Sequence, residues 1–130
     1  MIKIKILFSF FFMASFQILF SNNHFIPAYL EFSDNPYLPH NITITSAILN
    51  DLDLESGDEI GIFDGDICVG SGVIDDIISA PSNMLALVAW AQDGSTPGFF
   101  ASNEISYRFW DSSSMSEILD VSANYLQGNT

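Results

Sequence analysis

The chain has 130 residues, enough for one domain around one hydrophobic core. Its formal charge is −13, both lysines (Lys3 and Lys5) sit at the extreme N-terminus, and beyond them Arg108 is the only base against sixteen acids. That surface repels phosphate backbones and argues against nucleic acid or an anionic membrane as partner. It also attracts cations, although its ordinary role is solubility.

Met1–Lys5 is a short basic region, and Ile6–Phe20 is apolar except at Ser9, Ser15 and Gln17. The apolar run is shorter than the ~20 residues of a membrane-spanning helix and fits a cleaved secretory signal over residues 1–21. No membrane span is then expected after cleavage. The remaining residues, 22–130, are expected to form one domain. The only cysteine, Cys68, has no intrachain partner, so packing alone must hold the core.

From Phe25 onward the pattern is β. Phe25–Phe32 reads as a first strand, with Pro27 marking an edge or strand start. Ser33–His40 carries Asp34-Asn35-Pro36 and Pro39, which is loop chemistry. Asn41–Leu49 alternates Ile42, Ile44 and Ile48 against Thr43 and Thr45. Asn50–Asp58 reads as an acidic loop. Glu59–Phe63 and Ile67–Ile74 read as two strands joined by a tight Asp64-Gly65 turn, because both residues tolerate positive φ. Asp75–Asn83 is a loop, and Met84–Ala91 is apolar throughout, as in a strand buried on both faces. Gln92–Asn103 is the longest loop. Glu104–Trp110 alternates again, Asp111–Ser116 is a serine-rich turn, and Glu117–Tyr125 reads as a last strand, with one helical turn at Ser116–Leu119 as the alternative. About seven strands with regular turn signals predict an all-β antiparallel sandwich, immunoglobulin-like or jelly-roll-like.

If every connection reverses the chain, the loops sort into two ends. One end gathers Tyr37, His40, Asp64, Asp66, Asp93, Phe99 and Phe100. The other gathers Asp51, Asp53, Glu55, Asp58, Asp75, Asp76 and Asp111.

The chain also resembles a module of secreted and surface proteins of Bacteroidetes-type bacteria, often found upstream of a type IX secretion sorting domain. Leu54–Gly70 (LESGDEIGIFDGDICVG) carries the strongest likeness. Asn35-Pro36-Tyr37, Ile44–Ala47, Val88-Ala89-Trp90, Asp93-Gly94, Thr96–Phe99 and Asn103–Asp111 extend it over most of the region after the leader. The resemblance implies an extracellular β-sandwich accessory module without catalytic residues to carry over. Members of that family usually continue past the Tyr125 region with a further strand, further domains and a sorting tail. The expectation is therefore a truncated chain, or a domain that lacks a C-terminal edge strand and accepts one from a partner by strand addition.

Several residues are candidates for binding. Tyr37, Phe99 and Phe100 lie in loops beside Asp64, Asp66 and Asp93, a mixture that suits a glycan: ring faces stack and hydroxyls donate to carboxylates. The same aromatics could equally fold back to plug the end of the sandwich. Acids alternate over Asn50–Glu55, as in calcium loops, but Ser56 and Ile62 replace the glycine and glutamate that an EF-hand requires. A looser Ca²⁺ site from Asp51 and Asp53 with Asp75, Asp76 or Asp111 stays open against a solvated acidic rim, as does Ca²⁺ ligation by Asp64 and Asp66 against a pure turn role. Gly61, Gly70 and Gly72 are expected on one face, forming a floor for Trp90 or Trp110. His24 and His40 have no paired motif, and Cys68 sits mid-strand as an inert thiol. The expected function is a secreted, non-catalytic accessory or adhesion module of a bacterial surface or extracellular protein, with a glycan or a cell-surface protein as its partner. The alternatives are a carbohydrate-binding module and a subunit completed by a partner's strand.

Overall fold

Glycines and β-branched residues set where the strands lie and how closely they approach. In the computed structural model, which describes residues 23–126, the strands are β1 (His40–Ile44), β2 (Ile48–Leu49), β3 (Leu52–Asp53), β4 (Glu59–Asp64), β5 (Ile67–Val73), β6 (Leu85–Ala89), β7 (Ile105–Asp111) and β8 (Ser116–Val121). The expected leader lies outside the described residues. The strands form antiparallel sheets in the orders β5-β4-β7-β8, β1-β6 and β2-β3. The fold is all-β and sandwich-like, as its alternating pattern predicts. Among the described residues no helix is long and apolar enough to cross a membrane.

β4 is the centre. It pairs with β5 on one side and β7 on the other, and its first five residues are all buried. Ile60 and Ile62 face the second layer, where β6 supplies Leu87 and Ala89, and β7 adds Tyr107 and Phe109. Ile60, Ile62, Val69, Ile74 and Leu87 are almost wholly removed from water. Each such side chain contributes about 1.5–3 kcal/mol of transfer free energy. The small β2-β3 hairpin closes one side of this core through Leu54, whose N–H donates to the Ala47 carbonyl.

The two layers meet at a bulge in β5. Phe63 pairs with Cys68 and Ile62 with Gly70, so Val69 is an extra residue. Its carbonyl turns out of the ladder and accepts the Trp90 N–H at 3.0 Å, a bond from the first sheet to the end of β6. One residue on, Gly70 lies directly beneath the β6 backbone.

Six sequence expectations need correction. Phe25–Phe32 is not a strand: after Pro27 the chain makes a 3-10 turn, Ala28–Glu31, and Tyr29 stacks on Trp90 at 3.7 Å between ring centroids. Asn41–Leu49 is two strands, β1 and β2, divided between two sheets. Part of the acidic loop Asn50–Asp58 is the β2-β3 hairpin, whose turn residues Asn50 and Asp51 have φ of 52° and 66°. That conformation suits a two-residue turn, and Asn and Asp tolerate it. The β4-β5 turn is centred on Gly65-Asp66, with Asp64 pairing Ile67 and Gly65 at φ 59°. Met84–Ala91 is not buried on both faces, because no described segment lies over the outer face of β6 and Ala86 and Val88 stay exposed. Finally, the glycines carry no tryptophan. The bulge puts Gly61 on the outer face, under Phe25 and Phe63, while Gly70 and Gly72 face β6. Trp110 instead stacks on His24.

A Cβ at position 70 would stand 2.5 Å from the Val88 carbonyl oxygen, a backbone atom that cannot swing aside. Gly70→Val is therefore expected to cost at least ~1–3 kcal/mol through overpacking and sheet separation. An unchanged melting temperature would refute this account of the layer contact.

Candidate functional site: the open side of the sandwich

The second layer is narrower than the first. β1 and β6 span two strands, the facing sheet four, and the inner face of β7 and β8 extends past β1. The result is a groove of 540 Å³ between β1 and the segment after β8. Ile42 and Ile44 form one wall, and Phe109, Ile118 and Val121 lie along the floor. These side chains converge because each points inward from an alternating strand. Tyr125 lies at the far wall, where its hydroxyl meets that of Tyr107 at 2.9 Å. Burial first, and the Tyr125 contact second, push the Tyr107 phenol well above its usual value. Among the described residues β1 is laddered to β6 alone, and its other edge presents backbone groups that pair with none of them.

The aromatic and acidic loops do gather at one end. The Tyr37 carbonyl accepts the Ala91 N–H, Phe99 lies edge-on to His40 at 6.3 Å, and Asp64 reaches the long loop. The Asp64 carboxylate accepts the Phe100 N–H at 2.8 Å and the Asn103 side-chain amide at 3.0 Å. It ties the hairpin tip to the loop. Asp66 is fully exposed and pairs with Arg108 at 3.1 Å. Phe99 packs against the core as a partial plug, while Asp93 belongs to a tight turn closed on Thr96. Of the three expected aromatics, Tyr37 (45% exposed) and Phe100 (51%) remain open to solvent.

The acids expected for calcium do not converge. Asp51 is a turn residue, Asp53 lies on β3, and Asp75 and Asp76 follow β5, with Asp76 accepting the Ile77 N–H. Among the described residues no three His, Cys, Asp or Glu side chains form a cation cluster. Asp58 is buried and serves the fold: it accepts the Glu55 N–H and both the N–H and hydroxyl of Ser112.

Sequence reasoning missed a network on the outer face of the larger sheet. Buried Glu59 accepts the His24 and Phe25 backbone N–H groups at 2.8 and 2.9 Å. The His24 ring stacks on Trp110 at 3.7 Å and meets Glu117 at 2.8 Å. Arg108 lies over the Phe63 ring, 3.9 Å from its centroid, and joins Glu117 to Asp66. The hydrogen bond from His24, followed by that from Arg108, holds the Glu117 carboxyl below the usual carboxylate range. Burial pushes the nearby Cys68 thiol up to about 11. The partners of His24 lie 35 and 93 residues along the chain, so no local pattern points to them.

Comparison with family models, with curated proteins and with solved structures found no match.

Two outcomes are expected from the outer-face network. Glu117 is depressed in the folded state, so its contribution is full above the unfolded carboxylate value of about 4.3 and fades as pH falls through the lower folded value. The melting-temperature advantage of the native chain over His24→Ala should therefore be largest at pH 5 and above and shrink toward pH 3. A pH-independent advantage would mean that His24 acts only by stacking on Trp110. For Cys68, a thiolate fraction roughly a hundredfold below that of an ordinary cysteine predicts correspondingly slow alkylation at pH 8. Alkylation as fast as a free thiol would contradict the burial.

Proposed function

We propose that the chain is an exported, non-catalytic accessory module of an extracellular or cell-surface assembly, of the kind its sequence resembles. It attaches to its neighbour along the open side of the sandwich. One observation carries this reading: Ile118 and Val121, on the inner face of β8, stay part exposed beside the edge of β1 that pairs with no described strand. A contiguous apolar surface beside unpaired backbone is what an interface offers and what an isolated soluble domain ordinarily hides. The basic-then-apolar pattern from Lys3 to Phe20 supports export. A glycan reading of the loop end is weaker. Tyr37 and Phe100 are available as stacking surfaces, but Asp64 and Asp66 are already engaged by Asn103 and Arg108.

Site-directed photo-cross-linking of the exported chain tests this reading. A reactive residue at Val121, in the groove, should give a discrete adduct in the extracellular or surface fraction. The same residue at Ser113, on an exposed turn, should not. Absence of an adduct at position 121, or equal adducts at both, would overturn it.

A further inference from the structure

We infer that the occupant of the groove is one extended strand from another polypeptide, apolar on alternate residues and carrying lysine or arginine at its flanks. The inference rests on the proposed attachment along the open side and names the chemistry of what attaches.

The shape of the site argues for a strand. The free edge of β1 runs beside the apolar floor, so an extended segment can hydrogen-bond to that edge while every second side chain enters the groove. β1 is also less protected than either edge of the four-stranded sheet. β8 is bent by a register shift between its pairs to Tyr107 and Phe109, where Asp120 takes φ 57°. β5 carries the Val69 bulge and lies against the 3-10 turn. These are the usual devices against edge pairing. His40-Asn41-Ile42-Thr43-Ile44 has no acidic residue, lysine, proline or bulge, and it holds a straight five-pair register with β6.

Charge argues for what the strand carries. Asp51 and Asp120 are exposed and each stands one residue from a groove-lining position, Asn50 and Val121. Arg108, the only base among the described residues, is on the opposite face and bound to Glu117 and Asp66. The negative field of a chain with formal charge −13 is therefore uncompensated on the groove side. It favours basic flanks and opposes a second copy of this acid-rich chain, because like charges at an interface are repulsive.

Three synthetic peptides of about nine residues, long enough to cover β1 with both flanks, test the inference. One alternates valine and threonine between terminal lysines. The second has glutamates at the ends, and the third replaces valine by serine. The lysine-flanked peptide should raise the melting temperature, slow amide exchange at Asn41–Ile44, and bind about tenfold more tightly than the glutamate-flanked one at low salt. The serine peptide should not bind. Val121→Lys, which places a charge in the groove, should abolish binding; Ile118→Ser, a milder change, should weaken it if the first variant does not fold.

Binding without protection of β1 amides would overturn the strand geometry. Equal affinity for the lysine and glutamate peptides would overturn the charge assignment. A concentration-dependent dimer abolished by Val121→Lys would assign the groove to a second copy instead. Failure of all three peptides together with a discrete photo-adduct at position 121 would remove the strand inference and keep the attachment. Failure of both experiments would remove the attachment as well.

Discussion

The fold depends on how closely β6 can approach β5. Two sheets ordinarily pack about 10 Å apart, separated by their side chains. At Gly70 there is no side chain, and the backbone of Val88 and Ala89 rests directly on the strand below. The Val69 bulge beside it frees a carbonyl that would otherwise be bound within the sheet, and Trp90 takes it. The layers are thus joined at that corner by backbone, and they open from there toward β1 and β8. Leu87 fills the space over Gly72, and the wedge beyond is filled only partly by Ile42 and Ile44. The groove follows from the tight corner: a two-strand layer pinned at β5 cannot also reach across to β8.

The outer face of the larger sheet meets the opposite problem and solves it differently. There the chain before β1 supplies the cover. Phe25 lies over Gly61, and Tyr29 stacks with Trp90 at the edge of the same face. Buried Glu59 could not stand in this apolar setting without partners, and the two backbone N–H groups of His24 and Phe25 supply them. The lone arginine is likewise used for architecture, with its planar group over Phe63 and its donors shared between Glu117 and Asp66. So one face of the sheet is closed by the protein's own N-terminal segment and the other is left part open.

Much of this was legible in the residues, and the failures have physical causes. The alternation of Ile60 and Ile62 against Gly61 and Phe63 marked β4 correctly. The meeting of the hairpin tip with the long loop followed from counting reversals. Gly70 was recognisable as a site of close approach, but what approaches was not: a glycine in a strand says that space is needed and is silent on whether an indole or a backbone fills it. One unpaired residue, Val69, then reversed the faces of the segment after it, a change that strict alternation cannot foresee. Asn50-Asp51 did carry a readable signal. Two adjacent residues that tolerate positive φ, flanked by apolar pairs, form a hairpin, and the alternating acids drew attention to metal binding instead. The clustering of His24, Glu59, Trp110 and Glu117 could not be read at all, because it joins the start of the chain to its last strand.

The candidate site was legible only as an absence. A chain that closes its sandwich shows as many inward-facing apolar strands as the two layers need. Here β7 and β8 present Tyr107, Phe109, Ile118 and Val121, and Ile42 and Ile44 of β1 with Leu49 of β2 answer them only in part. Tyr125 comes back against Tyr107 and shields part of the floor, but Tyr125 and Leu126 stay largely exposed themselves. An edge without guards beside a floor without cover is costly to an isolated domain, since it invites self-association. The strongly acidic surface offsets that cost through mutual repulsion between copies. The same charge then selects the partner: what keeps identical chains apart draws in a basic strand, so solubility and specificity rest on one set of carboxylates.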